Sequence, residues 1–303
     1  EQEDELREGA KLLERVVTRI YTPGSLYEES LIGTDDVAML AALVVKADGV
    51  ALATLDASTG QVWTVEHSGD ERWARVLDDL LRANPNELVF TPRDSDRQEV
   101  RHMVSQLDGV VLSQHSSSEK RGQESLKQVL EVSDLGHIDL GDAPLAMSAA
   151  GLAADYLAAM HRLEEINLRD IEILKPEGNM ILDQTTLRNL ELTQTLSGEK
   201  EGSLLGAIDR CRTAMGRRTL KSWILQPLAD IKMINKRHDS VATLSRSSRR
   251  LNEMREAIKG LRDMERLATQ LSYNRSGSRD LVAIGLALER MPRLKSLCQE
   301  VDD

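Results

Sequence analysis

Asp56 is the residue whose type and position come closest to catalytic chemistry. It ends the second of three candidate strands, and two-metal nucleases hold their ions between convergent carboxylates on strands and helices. In that arrangement the first metal-binding aspartate belongs to the first strand, whereas the first candidate strand here, MLAALVVK, has no acidic residue. The turn sequence LDASTG therefore predicts that Asp56 hydrogen-bonds its own backbone. Two other acids, Asp139 and Asp142, lie in a predicted loop.

The other residue types that carry out chemistry in proteins form no recognisable group. No histidine pair stands at i, i+4 or beside a cysteine, as a zinc site would require. Cys211 and Cys298 fit neither a disulfide framework nor a metal-ligand spacing. No phosphate-binding loop of the form G-x-x-x-x-G-K-S/T occurs. The sequence predicts no catalytic residue, no cofactor-binding residue and no metal ligand, although a lone serine or cysteine nucleophile would leave no mark.

Charge divides the chain into two unlike halves. Residues 1–175 have a formal net charge of -16 and residues 176–303 one of +5, which together give the -11 of the chain. The acidic half is a poor candidate for binding a phosphate backbone, whereas the basic half is a better one. The arginines of the basic half are interpreted as solvating exposed helix faces; they include Arg246, Arg249, Arg250, Arg262 and Arg266.

The order of elements in the first half predicts a mixed sheet. Strand periodicity over 39–46, 50–56 and 61–66, with short turn sequences between, predicts an antiparallel meander. Helices and strands then alternate; their predicted ranges are 71–83, 87–90, 94–106, 109–112, 119–130 and 144–162. This succession is typical of an RNase H-like fold, in which helices pack on the faces of a mixed sheet.

The second half has helical periodicity with clear start and stop signals. The capping and stopping residues are Asp183 before a predicted helix over 184–196, then Ser203, Thr213 and Asp230 as further N-caps, and Pro227 as a stop. Gly216 lies inside one of these helices at a cost of about 1 kcal/mol relative to alanine, which predicts close packing against another helix. The chain is thus expected to have an α/β domain followed by an all-helical domain.

The block from 179 to 239 carries many position-specific residues in a fixed order. They are Asp183, Thr186, Arg188, Asn189 and Glu191; Leu204, Leu205 and Asp209; Met215, Gly216, Arg217 and Arg218; and Trp223, Leu225, Pro227 and Leu228. In this order they resemble the start of the core, or lever, domain of the MutS family of DNA mismatch repair proteins. TPGSL at 22–26 and LDASTG at 55–60 are similar to strings in bacterial members. The family-motif residues expected to be structural are Asp183, Arg188, Asn189, Gly216, Arg217, Trp223 and Pro227.

The resemblance implies a division of the chain. Its ranges would be 1–14 as the tail of a preceding domain, 15–162 as an RNase H-like connector domain, 163–178 as an inter-domain crossing and 179–303 as the first segment of the helical core domain. A full member also has a mismatch-reading domain with a Phe-x-Glu wedge, a clamp and a C-terminal ATPase. Phe90, the only phenylalanine, precedes Thr91 and Pro92, so we expect the wedge to lie outside these residues.

The resemblance also implies a non-enzymatic, signal-transmitting function. The connector would link mismatch recognition to the core and offer a surface to MutL, while the core helices act as levers between clamp and ATPase. The parent would be a homodimer of the bacterial cytoplasm, associated with the nucleoid, that binds mismatched double-stranded DNA and hydrolyses ATP with Mg2+. Gln123, Glu124 and Gln128 are the candidate MutL contacts, because we expect them to be exposed on the 119–130 helix; the alternative is that they are ordinary solvated residues.

Three other interpretations remain open at this stage. A MutS paralogue acting in recombination would carry the same two domains, although TPGSL and the intact connector favour the mismatch repair branch. An RNase H-like metal nuclease depends on Asp56 alone. An independent nucleic-acid-binding protein depends only on the modest positive charge of the second half, and steep salt dependence of duplex binding would support it.

Overall fold

The computed structural model describes residues 20–26, 37–107, 109–136, 138, 143–161, 166, 168, 171–173, 179–180, 182, 184–272 and 276–302. The chain divides into two compact units. The first unit holds most of the chain up to Ile173, and the second holds most of the chain after it.

The first unit is built around a mixed sheet. Its strands among the described residues are β1 (Met39–Val45), β2 (Gly49–Asp56), β3 (Gln61–Ser68), β4 (Glu87–Phe90), β5 (Val111–Gln114) and β6 (Ile171–Ile173). Their order across the sheet is β5-β4-β1-β2-β3-β6. The first three strands form the predicted antiparallel meander. β4 pairs with β1, β6 with β3 and β5 with β4, all in parallel.

β2 lies near the centre of the sheet and is buried along its whole length. Its sequence, GVALATLD, is an almost continuous apolar run, which is the pattern of a strand that is covered on both faces. The turn before it is closed by the Lys46 amide, which donates to the Gly49 carbonyl at 2.9 Å. Leu43 and Leu52 then pair across β1 and β2.

The helices before β6 are α1 (Arg72–Ala83), α2 (Pro92–Ser95), α3 (Gln98–Val104), α4 (Glu119–Val129) and α5 (Pro144–Met160). Residues 77–82 of α1 belong to the second unit, and the other four helices belong to the first. Small residues allow α5 to lie close to the sheet and α4 to lie close to α5. The alanine-rich α5 packs across β1, β2 and β3, and α4 packs against α5. At their crossing, a Cβ added to Gly151 would lie 2.9 Å from the carbonyl carbon of Gly122. Neither glycine can be enlarged without moving a helix backbone.

The second unit is helical in its described part. Its helices are α6 (Gln184–Asn189), α7 (Leu204–Ile208), α8 (Ala214–Leu225), α9 (Ile231–Arg246), α10 (Ser248–Ile258), α11 (Met264–Ser272) and α12 (Ser278–Asp302). The long α12 contacts α9, α10 and α11. No residue of α8 or α9 is fully buried, so these helices contribute less to a buried core than α5 does.

Most of the predicted elements are confirmed, and so is the fold class of a mixed α/β sheet followed by helices. The meander strands, β4, α1, α4, α5 and α8 each match the predicted ranges to within about two residues. The predicted N-caps are also confirmed: Ser203 Oγ accepts from the Gly206 amide at 3.1 Å, and Asp230 Oδ1 from the Lys232 amide at 2.7 Å. As predicted, α8 ends just before Pro227.

The predicted helix over 184–196 is too long. α6 ends near Asn189 because Glu191 adopts a left-handed φ of 48°. The Glu191 amide donates to the Arg188 carbonyl, and the Leu192 amide donates to the Leu187 carbonyl. These two bonds form a Schellman motif, which ends a helix even when the left-handed residue is not glycine.

Three other predictions differ from the structure. The single helix over 94–106 is two short helices, because Thr91 and Pro92 begin α2 early and its C-cap Asp96 interrupts the run before α3. The strand expected over 109–112 lies two residues later, at β5. β6 was not predicted at all, since its three residues fall within the expected inter-domain crossing.

Candidate functional site

Asp56 uses both of its carboxylate oxygens within its own turn. Oδ1 accepts from the Ser58 amide at 2.8 Å and from Ser58 Oγ at 2.6 Å, and Oδ2 accepts from Thr59 Oγ1 at 2.9 Å. The side chain is buried. This geometry confirms the prediction of a turn-capping aspartate, so the residue on which the nuclease interpretation depended has a structural role. Asp139 and Asp142 lie outside the described residues.

α4 carries the candidate partner surface. It begins at Ser118, whose Oγ accepts from the Arg121 amide, and it buries a face that includes Gly122 and Leu126. Glu124 and Gln128 lie on its exposed side, as expected, one helical turn apart. Gln123 is half-buried, so the expectation that it is exposed was wrong. It lies one helical turn before the buried Leu126, at the edge of the buried face, which explains the difference.

Asp155 of α5 holds α4 in place. Its carboxylate accepts from His115 Nε2 at 2.9 Å, from Arg121 Nε at 3.0 Å and from Ser125 Oγ at 2.8 Å. Burial alone would raise the pKa of Asp155, but these donors and Ser117 outweigh it and hold the pKa below its ordinary value. One ionised side chain therefore joins the end of β5, two turns of α4 and the middle of α5.

Glu87 is a second buried carboxylate, and it is fully inaccessible to solvent. It accepts from the Gly24 amide at 3.0 Å, from Ser113 Oγ at 2.5 Å and from Tyr156 Oη at 2.5 Å. Burial and the neighbouring Glu87 carboxylate raise the pKa of Tyr156. Gly24 belongs to the TPGSL string, so part of that string is bound on the start of β4.

Several of the expected structural residues of the second unit cap or join its elements. Pro227 O accepts from the Met180 amide at 2.7 Å, and the next residue forms an antiparallel bridge with Asn179. Arg188 and Asn189 are exposed at the end of α6. Asp183 lies outside the described residues.

Arg217 and Trp223 each make an electrostatic contact, Arg217 with a carboxylate and Trp223 with a guanidinium. Arg217 Nε lies 3.8 Å from Asp209 Oδ2. Burial opposes ionisation of Asp209, but the Cys211 amide and other donors hold its pKa below the ordinary value. Trp223 is 46 % exposed, and the guanidinium of Arg237 lies 3.9 Å from its ring centroid, which is a cation–π arrangement.

Gly216 does not have the predicted role of allowing a close helix–helix approach. Its amide donates to Thr213 Oγ1 at 3.1 Å, and this hydroxyl is also the nearest atom that an added Cβ would meet. The other near atoms belong to Cys211. The restriction at Gly216 therefore comes from the N-terminal cap of its own helix.

Arg218 forms the most extensive ion-pair cluster in the described part of the second unit. Its guanidinium binds both oxygens of Asp263, at 2.5 and 2.9 Å, and Glu265 Oε2 at 2.5 Å. Burial alone would lower the pKa of Arg218, but the two carboxylates raise it above its ordinary value. The cluster joins α8 to the start of α11, and only 14 % of the Arg218 side chain is exposed.

The interpretation of the second-half arginines as solvated is wrong for Arg266, which is only 3 % exposed and lies 3.7 Å from Asp263 Oδ2. Arg262 is exposed, as expected, and it also donates to Asp280 Oδ1 at 2.7 Å. Much of the positive charge of this half is therefore neutralised by ion pairs, which weakens the case for an independent phosphate-binding module.

The described residues contain no group of three or more histidine, cysteine, aspartate or glutamate side chains placed to hold a metal ion. In the same part of the chain, no helix is both long enough and apolar enough to cross a membrane.

The fold of this chain is a mixed-sheet unit followed by a helical unit. Residues 38–171 match the family model for MutS domain II, and residues 185–303 match that for MutS domain III. Together these ranges span most of the chain, in the expected order. The chain belongs to the MutS family, which confirms the resemblance found in the sequence.

Similar proteins carry the name DNA mismatch repair protein MutS. The chain is 35 % identical to that of Anaeromyxobacter dehalogenans strain 2CP-C over 301 residues, which are 98 % of this chain and 33 % of the relative. It is 33 % identical to that of Trichormus variabilis over 309 residues, 98 % of this chain and 36 % of the relative. For Symbiobacterium thermophilum the identity is 32 % over 294 residues, 96 % and 34 % of the two chains. The chain thus spans about a third of the length of these relatives.

Proposed function

We propose that these residues form a non-catalytic connector and lever segment of a DNA mismatch repair protein. The observation that carries the proposal is that the main polar clusters brace helices against each other in a chain of the MutS family. In this proposal the segment itself holds no cofactor or metal. The parent is a homodimer of the bacterial cytoplasm and nucleoid that binds mismatched double-stranded DNA and hydrolyses ATP with Mg2+.

In the connector, the exposed side of α4 is the proposed surface for MutL. Lys120, Glu124 and Gln128 follow one another at one-turn spacing on this side, and Lys120 Nζ lies 3.9 Å from Glu124 Oε1. Asp155 fixes the helix from behind, so these side chains are presented on a rigid element. A charged surface of this kind contributes orientation and specificity more than raw affinity.

In the helical domain, capped helices and the Arg218 cluster supply the stiffness that a lever needs. Signal transmission between distant sites requires packed elements that move as units between discrete arrangements. Ser203, Thr213 and Asp230 cap α7, α8 and α9. Arg218 of α8 binds Asp263, which lies 45 residues later in the chain at the start of α11.

The α4 surface is tested in the full-length protein with Lys120→Glu, Glu124→Lys and Gln128→Glu combined. This variant keeps an opposite-charge pair one turn apart but reverses the pattern that a partner meets. We expect recruitment of MutL to mismatched DNA to fall about tenfold or more, because several rim charges change together. Binding to mismatched DNA and ATP hydrolysis should be unchanged.

The matched control is the exposed ion pair at the start of α1, where Glu71→Lys and Arg75→Glu exchange the charges of a 2.8 Å contact. This exchange should leave MutL recruitment intact. Undiminished recruitment by the α4 variant would show that the interface lies elsewhere. If the parent itself showed no mismatch-dependent recruitment, the recombination paralogue would become the better interpretation.

A further inference from the structure

The 20–26 segment folds into a compact turn against the first unit. The Thr22 amide and Oγ1 both donate to Ser25 Oγ at 2.9 Å, and the Ser25 amide donates back to the Thr22 carbonyl. Ser25 is fully buried. This turn points the Gly24 amide at Glu87 Oε2, and a Cβ on Gly24 would lie only 2.7 Å from the Glu87 Cβ. Only glycine fits this contact without displacing one of the two chains.

The same segment also holds the C-terminal end of α5. The Ile20 amide donates to the Met160 carbonyl at 2.8 Å. The Ser25 carbonyl accepts from Nε2 of His161, the C-cap of α5, at 3.0 Å. The ring of Tyr21 meets the His161 ring edge-on with centroids 5.8 Å apart. The segment therefore has two attachment points, the Glu87 carboxylate and the end of α5.

Two adjacent residues of α5, Asp155 and Tyr156, connect Glu87 to α4 through hydrogen bonds. Tyr156 donates to Glu87, and Asp155 accepts from Arg121 and Ser125 of α4. The His115 ring bonds to Asp155 and also lies edge-on against the Tyr156 ring, with centroids 5.6 Å apart. A continuous series of buried polar contacts thus runs from the 20–26 segment to the helix with the candidate partner surface.

We propose that the seating of the 20–26 segment on Glu87 is coupled through α5 to the stability of α4. Loss of the Gly24 donor leaves a fully buried carboxylate short of a hydrogen bond, which is costly in a low-dielectric interior. To regain a hydrogen-bond donor or a water molecule, the Glu87 side chain has to move, and this movement also displaces Tyr156. Asp155 is the neighbouring residue of α5, so it is displaced together with Tyr156. An unseated segment lowers the fraction of molecules in which α4 is ordered. The consequence for partner binding rests on the proposed function, in which α4 carries the partner surface.

The test is hydrogen exchange by mass spectrometry on the full chain, with Gly24→Ala as the variant that unseats the segment. We expect the amides of 122–130 in α4 to exchange at least about fivefold faster, the lower end of typical coupling between sites. Amides of β2 and β3 should keep their rates. Ser25→Ala, which removes the turn contacts without adding atoms, should give a smaller change of the same pattern.

The matched control is Gly69→Ala, which strains a residue at φ 78° with no atom near its added Cβ. It destabilises the first unit without affecting the contacts of Glu87. Exchange in α4 should therefore not accelerate more than exchange in the rest of the unit. In an Asp155→Asn background, Gly24→Ala should give no further acceleration in α4, because the contact that transmits the effect is already lost.

The coupling is refuted if both segment variants exchange faster within 20–26 while α4 is unchanged, or if acceleration is uniform across β2 and α4. A full additional acceleration in the Asp155→Asn background would also refute it. No partner protein enters the measurement, so a negative result here is distinct from failure of the MutL proposal.

Discussion

Asp155 is a residue whose charge state should set the acid stability of the first unit. Its pKa is held below the ordinary value by donors from α4 and from the segment between β5 and α4, which outweigh burial. Its ionised form therefore contributes stability that is present above the unfolded pKa. This contribution is lost as pH falls through the lower folded pKa. Asp155→Asn should cost about 2 kcal/mol at pH 7, as hydrogen bonds to charged groups typically do, and less near pH 3, which is below the ordinary aspartate pKa of 3.8.

Urea unfolding at the two pH values measures this prediction. Asp96→Asn is the matched control, since Asp96 is an exposed carboxylate of the same unit and should change stability little at either pH. A cost for Asp155→Asn that stayed constant with pH would show that the carboxylate matters for its shape and not for its charge.

Sequence reasoning identified the residue roles that depend on local spacing and missed those that depend on contacts across the fold. Asp56 and the caps were predictable because their partners lie within three residues of them in the chain. The donors to Asp155 lie 30 to 40 residues away, so no local pattern contains them. One signal was present: Asp155 is the only charged residue in the 17 residues of α5, and a lone charge in an apolar helix indicates a buried partner.

At the scale of elements, α4 ends in an unusual but testable way. Glu131 has a left-handed φ of 55°, its amide donates to the Gln128 carbonyl, and the Val132 amide donates to the Lys127 carbonyl at 3.0 Å. This is the Schellman motif again. A non-glycine residue pays about 1–2 kcal/mol in this conformation, partly offset by the greater freedom of glycine in the unfolded chain. Glu131→Gly should therefore stabilise the protein by about 0.5 kcal/mol.

Urea unfolding measures this change in stability, and two substitutions that should lower stability serve for comparison. Glu124→Gly, in the middle of the same helix, should destabilise by about 1 kcal/mol. Glu131→Val should also destabilise, because a β-branched residue tolerates positive φ least. Loss of stability in Glu131→Gly as large as in Glu124→Gly would contradict a left-handed helix end.

Elements with strong periodicity were predictable, and their ends were predictable only where a cap or a proline marks them. β1, β2 and β3 follow directly from alternating or continuous apolar runs with turn sequences between. α6 was overextended because the residue that stops it is a glutamate, which carries no general stop signal. β6 has three residues, and its strand state depends on pairing with β3 far away in the chain.

At the scale of the whole molecule, the two units differ in how they are stabilised. The first buries a large apolar core between sheet and helices. The second has helices with few buried side chains in its described part and relies more on caps and ion pairs. In the proposed lever, such a helical unit would transmit force only while its few specific contacts hold, so we expect one buried ion-pair cluster to matter more there than in the first unit.

Arg218 is the residue at which this argument about the whole molecule can be tested. Arg218→Met leaves Asp263 buried without its bidentate partner, and breaking a buried pair in this way costs about 3 kcal/mol or more. In the full-length protein we expect mismatch binding and basal ATP hydrolysis to remain, while stimulation of ATP hydrolysis by mismatched DNA is lost. Arg218→Lys should be intermediate, because lysine keeps the charge but cannot bind both oxygens of Asp263.

The control is Arg249→Met, which removes an ion pair to Glu253 in the same unit at a side chain that is 89 % exposed. An exposed pair of this kind contributes little to stability, so its removal should leave mismatch stimulation intact. If Arg218→Met stays folded and retains full mismatch stimulation, α8 and α11 need not move as one body, and the lever function does not pass through this contact.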